Sequence, residues 1–338
     1  VHTIVDDPEG RAVAAALFDL VQAPIRWQIV SAGLALGLFD RLGGDATPAE
    51  PVAEALGLAP RATRLVLDAL CAMRLVEKHQ DRYRLAAAAA PYLRSDGPRS
   101  LGPLLTSLAA LRHGDVAALL RGDAPGPALD MADPAFWDRS AASLRSFHRA
   151  MGADATVAML EDLPEWPAVR RLLDLGAGSE VLATTIAARR PDVSVAVLDL
   201  PQPAARIAAA VAATPQRDRV DVIPGDFNTV DLGGGYDLIV ASMTLYYAAD
   251  LVAVLARARA ALRPGGVLVS VHEGLTDART APEEHVVGRL VPVLRGRDLS
   301  FDAGAIADAM RDAGFARVAR AVVATPFGTM EKTIGRSA

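Results

Sequence analysis

The sequence predicts an α/β fold: a mostly parallel sheet covered on both faces by helices, preceded by a helical domain of a different pattern. Three observations carry this. Residues 172 to 200, LLDLGAGSEVLATTIAARRPDVSVAVLDL, read as apolar strand, glycine-containing turn, helix, and a second apolar strand ending in an acid. The chain beyond them keeps alternating short apolar runs with helical patterns, as parallel sheets buried on both sides do. Residues 1–100 instead show successive helices closed by a short hairpin. At 338 residues the chain has length enough for two cores.

The first strand, fed by Leu172 and Leu173, ends at Asp174. Gly176 and Gly178 then permit a tight turn and a close approach of backbone to ligand. The helix that follows, Val181 to Ala188, favours negative charge at its start. The next strand, Val193 to Leu198, ends at Asp199 and Leu200, where a carboxylate can accept both hydroxyls of a ribose. This is the layout of a nucleoside-cofactor site. A dinucleotide site uses the spacing G-x-G-x-x-G around a pyrophosphate. Here the spacing is D-x-G-x-G, and an acid before the first glycine repels a pyrophosphate but suits a cationic methionine end. The expected cofactor is S-adenosyl-L-methionine.

Downstream, DRVDVIPGDF (218 to 227) predicts a strand stopping at Gly225, with Asp226 and Phe227 after it. GGYDLIVASMTLYY (234 to 247) predicts a strand, Leu238 to Ala241, running into a loop at Ser242. ADLVAVLARARAALRPGG is an amphipathic helix closed by Arg263-Pro264-Gly265-Gly266, and VLVSVHE is another strand. One helix and two strand-like runs finish the chain. Ligands in such sheets sit beyond the carboxyl ends of the strands. Asp174, Asp199, Asp226, Ser242 and His272 all fall there.

The N-terminal segments GLALGLFDRLGG, PAEPVAEALGL and RATRLVLDALCAMRLVEKHQDRYRLA read as three helices and a hairpin, a winged-helix pattern. Arg61, Arg64 and Arg74 on the third helix raise the possibility of DNA binding. The chain carries 35 basic and 40 acidic residues, net −5, whereas a phosphate-binding surface wants a basic field. Neither nucleic acid nor membrane is an expected partner. The apolar run in 29 to 39 is shorter than a membrane span and interrupted by glycine. The single cysteine, Cys71, excludes an intramolecular disulfide. The opening VHTIVDDPEG is acidic and polar, without a signal-peptide pattern, so the expected location is cytoplasmic. Residues 101–165, helical and punctuated by RGDAPGPALD, are expected to link the domains and cover the acceptor pocket, leaving 166–338 as the cofactor domain.

LLDLGAGS, LDLP (198 to 201), PGDF (224 to 227), RPGG (263 to 266) and the terminal GTMEKTIGR together resemble the class I methyltransferases of the plant caffeate and bacterial secondary-metabolite O-methyltransferase type. The resemblance runs over nearly the whole chain. It implies a Rossmann-like methyltransferase domain and an N-terminal winged-helix-like domain that builds a homodimer and does not bind DNA. It places Asp174, Gly176 and Gly178 at the methionine part of the cofactor, Asp199 at the ribose, and Asp226 and Phe227 at the adenine. It also implies that Phe147, His148 and Met151, on SLRSFHRAMGAD, line the acceptor; Phe147 and Met151 at helical spacing would equally suit a core, as would Phe136 and Trp137.

Two positions depart from the family pattern. The third glycine of the turn is replaced by Glu180, which would either crowd the cofactor or turn to solvent. The slot of the family's proton-removing histidine holds Tyr246, followed by Tyr247. A neutral phenol, of reference pKa about 10, is a poor base but a good hydrogen-bond donor or oxyanion partner. Ring C-methylating relatives look similar here, with a tyrosine in that slot and a histidine in the region of His285. Tyr246, His272 and His285 are therefore expected to face the acceptor. His272 and His285, with Glu273 or Glu284, would also suit a metal, but no tight ligand spacing occurs and none is expected. The expected function is methylation of a small aromatic or enolisable molecule in specialised metabolism, with carbon favoured over oxygen as acceptor. The alternatives are a methyltransferase fold turned to other tailoring chemistry, of cyclase or hydroxylase type, and a winged-helix regulator that senses a small ligand.

Overall fold

A computed structural model of the chain describes residues 8–122 and 134–338. Phe136 and Trp137 lie outside the described side chains. The chain divides into two compact units, Val1–Gly102 and Pro103–Ala338. Most of the segment expected as a separate linker, 101–165, thus belongs to the second unit.

The first unit contains α1 (Pro8–Ala35), α2 (Leu38–Arg41), β1 (Thr47–Pro48), α3 (Ala49–Leu56), α4 (Pro60–Ala72), β2 (Val76–His79), β3 (Arg82–Leu85) and α5 (Ala90–Leu93). β2 and β3 form the expected hairpin, and β1 joins it in the order β1-β3-β2. Leu38, Phe39, Leu42, Val52, Leu67, Leu70 and Tyr83 make its core. The helix expected over GLALGLFDRLGG, 33 to 44, is instead the end of α1 and the short α2, broken at Gly37 with φ 68°, and α1 begins far upstream at Pro8. It has 28 residues, and by length and composition it is long and apolar enough to cross a membrane. Only its Gly33 is buried. Val13, Leu17, Val21 and Ile25, spaced one helical turn apart, are all more than half exposed.

The second unit begins with α6 (Gly102–Arg112), α7 (Val116–Arg121), α8 (Pro134–Phe147), a π-helical turn (His148–Gly152) and α9 (Ala153–Glu161). The alternating part follows: β4 (Arg171–Leu175), α10 (Val181–Arg189), β5 (Ser194–Asp199), α11 (Pro201–Ala212), β6 (Val220–Pro224), β7 (Tyr236–Ser242), α12 (Leu251–Ala261) and β8 (Leu262–His272). Then come β9 (Gly274–Leu275), α13 (Glu283–Leu294), β10 (Phe301–Asp302), α14 (Ala305–Asp312), β11 (Arg317–Thr325) and β12 (Gly328–Arg336). Among the described residues, seven strands form one sheet in the order β11-β12-β8-β7-β4-β5-β6. β8, β7, β4, β5 and β6 run parallel, and the edge pair β12 and β11 runs antiparallel.

Strand residues alternate between the two faces, as a period of two requires. Leu172, Val195, Val197, Leu238, Val240 and Val269 pack on one side with Leu182 and Ile186 of α10 and Val157 and Leu160 of α9. Leu173, Leu175, Leu198, Ile239, Ala241 and Leu268 pack on the other with Leu255 of α12 and Met310 of α14. The strand order reverses at β4, and such a switch point opens a crevice at the carboxyl ends of the strands.

Arg263-Pro264-Gly265-Gly266, expected to close α12, instead lies in the first residues of β8. α12 ends at Ala261, and the extra residues are absorbed by a register shift against Tyr236 and Leu238, with Gly265 at φ 73°. Asp237 secures this end of the sheet. Its Oδ2 accepts from the N–H groups of Arg170 and Arg171 at 2.6 and 2.8 Å, and its Oδ1 meets Arg263 Nε at 2.5 Å. Asp237 is 5% exposed. Asp237→Ala should lower the free energy of unfolding by about 3 kcal/mol, from losing two backbone hydrogen bonds to a charged acceptor at about 1.5 to 3 kcal/mol each, while the pair with the half-exposed Arg263 adds little. Urea unfolding measures it, and a loss under about 1 kcal/mol would show that the three bonds matter little.

Candidate active site

Five of the residues picked out by sequence lie along the carboxyl edge of β6, β5, β4, β7 and β8: Asp226, Asp199, Asp174, Ser242 and His272. The turn after β4 is fixed by its neighbours. Gly176 N–H donates to the Leu198 carbonyl at 2.8 Å, and Gly178 N–H donates to Asp199 Oδ2 at 2.7 Å. Both glycines have positive φ, 71° and 67°, which disfavours any side chain. Gly176 is also sterically required, and Gly178 sits close under the tip of Leu144. A Cβ on Gly176 would collide with Thr244 Oγ1, and one on Gly178 would come within 2.8 Å of Leu144 Cδ1.

Asp199 uses its second oxygen, Oδ1, to accept from Leu200 N–H at 2.8 Å. Its carboxylate therefore fixes the turn and keeps further lone pairs for a ligand. Burial raises its pKa, and the Gly178 and Leu200 N–H groups pull it back. Asp174 is different. It is 2% exposed and its Oδ2 has no hydrogen-bond partner. Desolvation first, and the charge of Asp199 second, push its pKa up to about 8. A buried acid of this kind is a receptor for a cation. An ammonium group would supply the missing donor and charge. The turn thus fits S-adenosylmethionine, with Asp174 as the acceptor for its cationic methionine end.

Several of the expected residues also bind within the protein itself. Asp226 caps its own loop, its Oδ1 accepting from Asn228 N–H and Nδ2 at 2.9 and 2.8 Å. Phe227, expected beside the adenine, is 8% exposed and packs in the apolar cluster with Leu175, Leu198 and Leu255, leaving little ring for a ligand. His272 is bound most fully. Its Nε2 accepts from the N–H groups of Thr244 and Leu245 at 3.0 and 2.9 Å, and its Nδ1 lies 2.8 Å from Ser270 Oγ. Two donors on Nε2 require the proton on Nδ1, so Ser270 is the acceptor there. Desolvation, then the charge of Arg289, hold this imidazole down at about 3. His272 fixes the shape of the loop after β7 and has no lone pair left to take a proton from an acceptor.

Tyr246 stands on that loop, half-buried. Its ring meets Tyr247 edge-on at 4.8 Å, His272 edge-on at 5.7 Å and Phe301 at 6.5 Å. Desolvation, then Tyr247 and Glu273, raise its phenol well above the usual range, against the charge and hydrogen bonding of Arg289. At neutral pH it is a hydrogen-bond donor, not a base. Tyr247 is half-exposed. Arg289 was missed in the sequence. Its guanidinium lies 5.3 Å from the Tyr246 ring centre and pairs with Glu273 at 2.6 Å, both side chains being largely buried. His285 precedes it by one turn of α13 and donates from Nε2 to the Thr329 carbonyl at 2.5 Å. Among the described residues, no group of three or more His, Cys, Asp or Glu is placed to hold a metal.

On the other side of the turn, the π-helical residues extend α8. Phe147 packs edge-on against Phe327 at 4.8 Å. His148 Nδ1 lies 2.7 Å from Ser179 Oγ, and desolvation holds its imidazole down at about 4. Met151 is half-buried on the same turn.

A model of the O-methyltransferase dimerisation domain matches residues 18–95, and a methyltransferase-domain model matches residues 173–268. Acetylserotonin O-methyltransferase of Mus musculus is 30% identical over 308 residues, 83% of this chain and 78% of that one. The 3-hydroxy-5-methyl-1-naphthoate 3-O-methyltransferase of Streptomyces sahachiroi is 25% identical over 326 residues, 94% of each chain. The solved structure of PigF with SAH matches with a TM-score of 0.76 at 26% identity, covering 96% of this chain and 99% of that one. The chain belongs to the O-methyltransferase family of class I S-adenosylmethionine-dependent methyltransferases.

The Asp174 carboxyl makes a testable statement about pH. Its pKa is raised from 3.8 to about 8 in the fold, so the folded state holds more protons than the unfolded state between those values. Stability from this group is therefore present below 3.8 and is lost as pH rises toward 8. Asp174→Asn should flatten that decline, raise Tm above the parent's at pH 7.5, and abolish S-adenosylmethionine binding in calorimetry. The parent should release close to one proton on binding the cofactor at pH 7, read from two buffers of different ionisation heat. A parent that binds with no proton release, or a variant that binds as well, contradicts the assignment.

Proposed function

We propose that this enzyme methylates a small aromatic or enolisable molecule of specialised metabolism, and that carbon is favoured over oxygen as the acceptor atom. The observation that carries this is the pairing of Tyr246 with Arg289 beside an imidazole, His272, whose two nitrogens are both engaged. A hydroxyl acceptor needs a base, and Tyr246 is a donor. An electron-rich or already enolic carbon needs its oxygen held and its charge stabilised, which a phenol hydroxyl next to a guanidinium does.

S-adenosylmethionine, when bound, supplies an electrophilic methyl group on a sulfonium. The protein's own residues orient and exclude. Asp174 and the Gly176–Gly178 turn would hold the methionine end, Asp199 the ribose, and Asp226, Leu200 and Ser242 the remaining rim. Phe147, His148, Met151 and Tyr247 would line the acceptor, holding it close and aligned with the methyl. His148, kept neutral by burial, would stay bound to Ser179. We also propose that the chain acts in the cytoplasm as a homodimer, with the exposed stripe of α1 covered by a second copy. The length of that apolar stripe and the dimerisation-domain match support this.

One observation supports an oxygen acceptor. His285, donating from Nε2, keeps the lone pair of Nδ1. The two readings differ in a single product. Cofactor carrying a carbon-13 methyl, incubated with the enzyme and a low-molecular-mass metabolite extract, should give a product whose methyl resonance is that of C–CH3. An O–CH3 resonance would overturn the carbon assignment. No label in any product would favour other tailoring chemistry. With the acceptor so identified, Tyr246→Phe should lower kcat by roughly 10²- to 10³-fold, the usual cost of one oxyanion donor. A loss below about threefold, ~0.7 kcal/mol, would reduce Tyr246 to a wall of the pocket.

A further inference from the structure

Glu180 stands where the family resemblance implies a third glycine. It is 5% exposed, and a buried carboxylate is costly unless paired. Its partners come from α8 and the π-helical turn. Arg145 donates to Glu180 Oε2 from Nε at 3.1 Å and from Nη2 at 3.0 Å. Arg149 Nη2 lies 3.9 Å from Oε1. The two arginines are four residues apart, one helical turn, so both reach the same carboxylate.

The residues beside Glu180 face the same helix. Ser179 Oγ meets His148 Nδ1 at 2.7 Å, and Gly178 is packed so closely under Leu144 that a Cβ would strike it. Three consecutive residues of the cofactor turn are thus each engaged by one helical segment. That segment bends into π geometry at His148–Gly152, a form that concentrates at functional sites. Gly152 allows the bend, since a Cβ there would come within 2.5 Å of Phe147 Cε1. Phe147 and Met151, assigned above to the acceptor wall, are carried on the same residues.

We propose that Glu180 is a positioning residue that clamps the acceptor-lining helix to the cofactor turn through Arg145 and Arg149, so that filling the cofactor site stiffens the acceptor wall. Glu180 does not turn to solvent, as one expectation had it; it is buried against Arg145 of the helix, which is how a side chain is accommodated at this position. This inference rests on the reading of residues 144–151 as the acceptor wall.

The first measurement needs no acceptor, and a second uses the acceptor once it is identified as above. Amide exchange is followed over residues 139–152 and 174–180 in the full chain, with and without S-adenosylhomocysteine. In the parent, the ligand should slow exchange in both segments, by about fivefold or more in 139–152, the lower range of coupling between sites. In Glu180→Gln the turn should still be protected, but 139–152 should gain less than about twofold. The double variant Arg145→Gln, Arg149→Gln, whose side chains are partly exposed, should behave likewise and guards against misfolding of the first. A merely structural Glu180 would loosen 139–152 equally with and without ligand, and that result, or full ligand-dependent protection in both variants, overturns the clamp. Coupling intact in the parent but acceptor KM unchanged in Glu180→Gln would overturn the acceptor-wall assignment instead. Failure of the parent to bind S-adenosylhomocysteine would overturn the cofactor reading and the clamp with it.

Discussion

The site is organised around a carboxyl group buried without a partner. Asp174 lies near the end of the central strand β4, shut from water and beside Asp199. The fold tolerates this because β4 is held on both sides by parallel strands, each filling its own apolar layer. Relaxation that would expose the acid would break those layers. The cost is met by holding the group protonated until a cation arrives. In the proposed reading, stability given up at one point of the sheet favours a positively charged ligand.

The loops around that acid are shaped by side chains whose polar atoms are engaged with the protein itself. His272 gathers the N–H groups of Thr244 and Leu245, which puts Thr244 against Gly176 and presents Tyr246 beside Arg289. Asp199 accepts two N–H groups and sets the turn opposite. Glu180 ties that turn to the helix carrying Phe147 and Met151. His272 and Glu180 are buried polar groups held by their partners, and such networks specify one arrangement because partial satisfaction is so costly.

Much of the frame was legible in the sequence, because strand alternation and the Gly176–Gly178 turn are local signals. The helix read as Val181 to Ala188 is Val181–Arg189, and the strand read as Val193 to Leu198 is Ser194–Asp199. The failures involve contacts between distant residues. Arg145 and Glu180 are 35 positions apart, so the partner that holds Glu180 could not be read locally. The bonds that occupy His272 come from backbone 27 and 28 residues earlier. Arg289 gave no signal beyond its spacing from His285. Phe227 was placed by motif, whereas the apolar layer around Leu175 and Leu198 decides where its ring goes. RPGG was read as a helix stop, but its glycines serve a bulge at the start of a strand.

The central claim is that Asp174 selects the cofactor by its positive methionine end. The most direct measurement compares S-adenosylhomocysteine with an analogue lacking only the α-amino group, by calorimetry at pH 7. The account predicts at least tenfold weaker binding of the analogue, about 1.4 kcal/mol. Equal affinity for the two would contradict it.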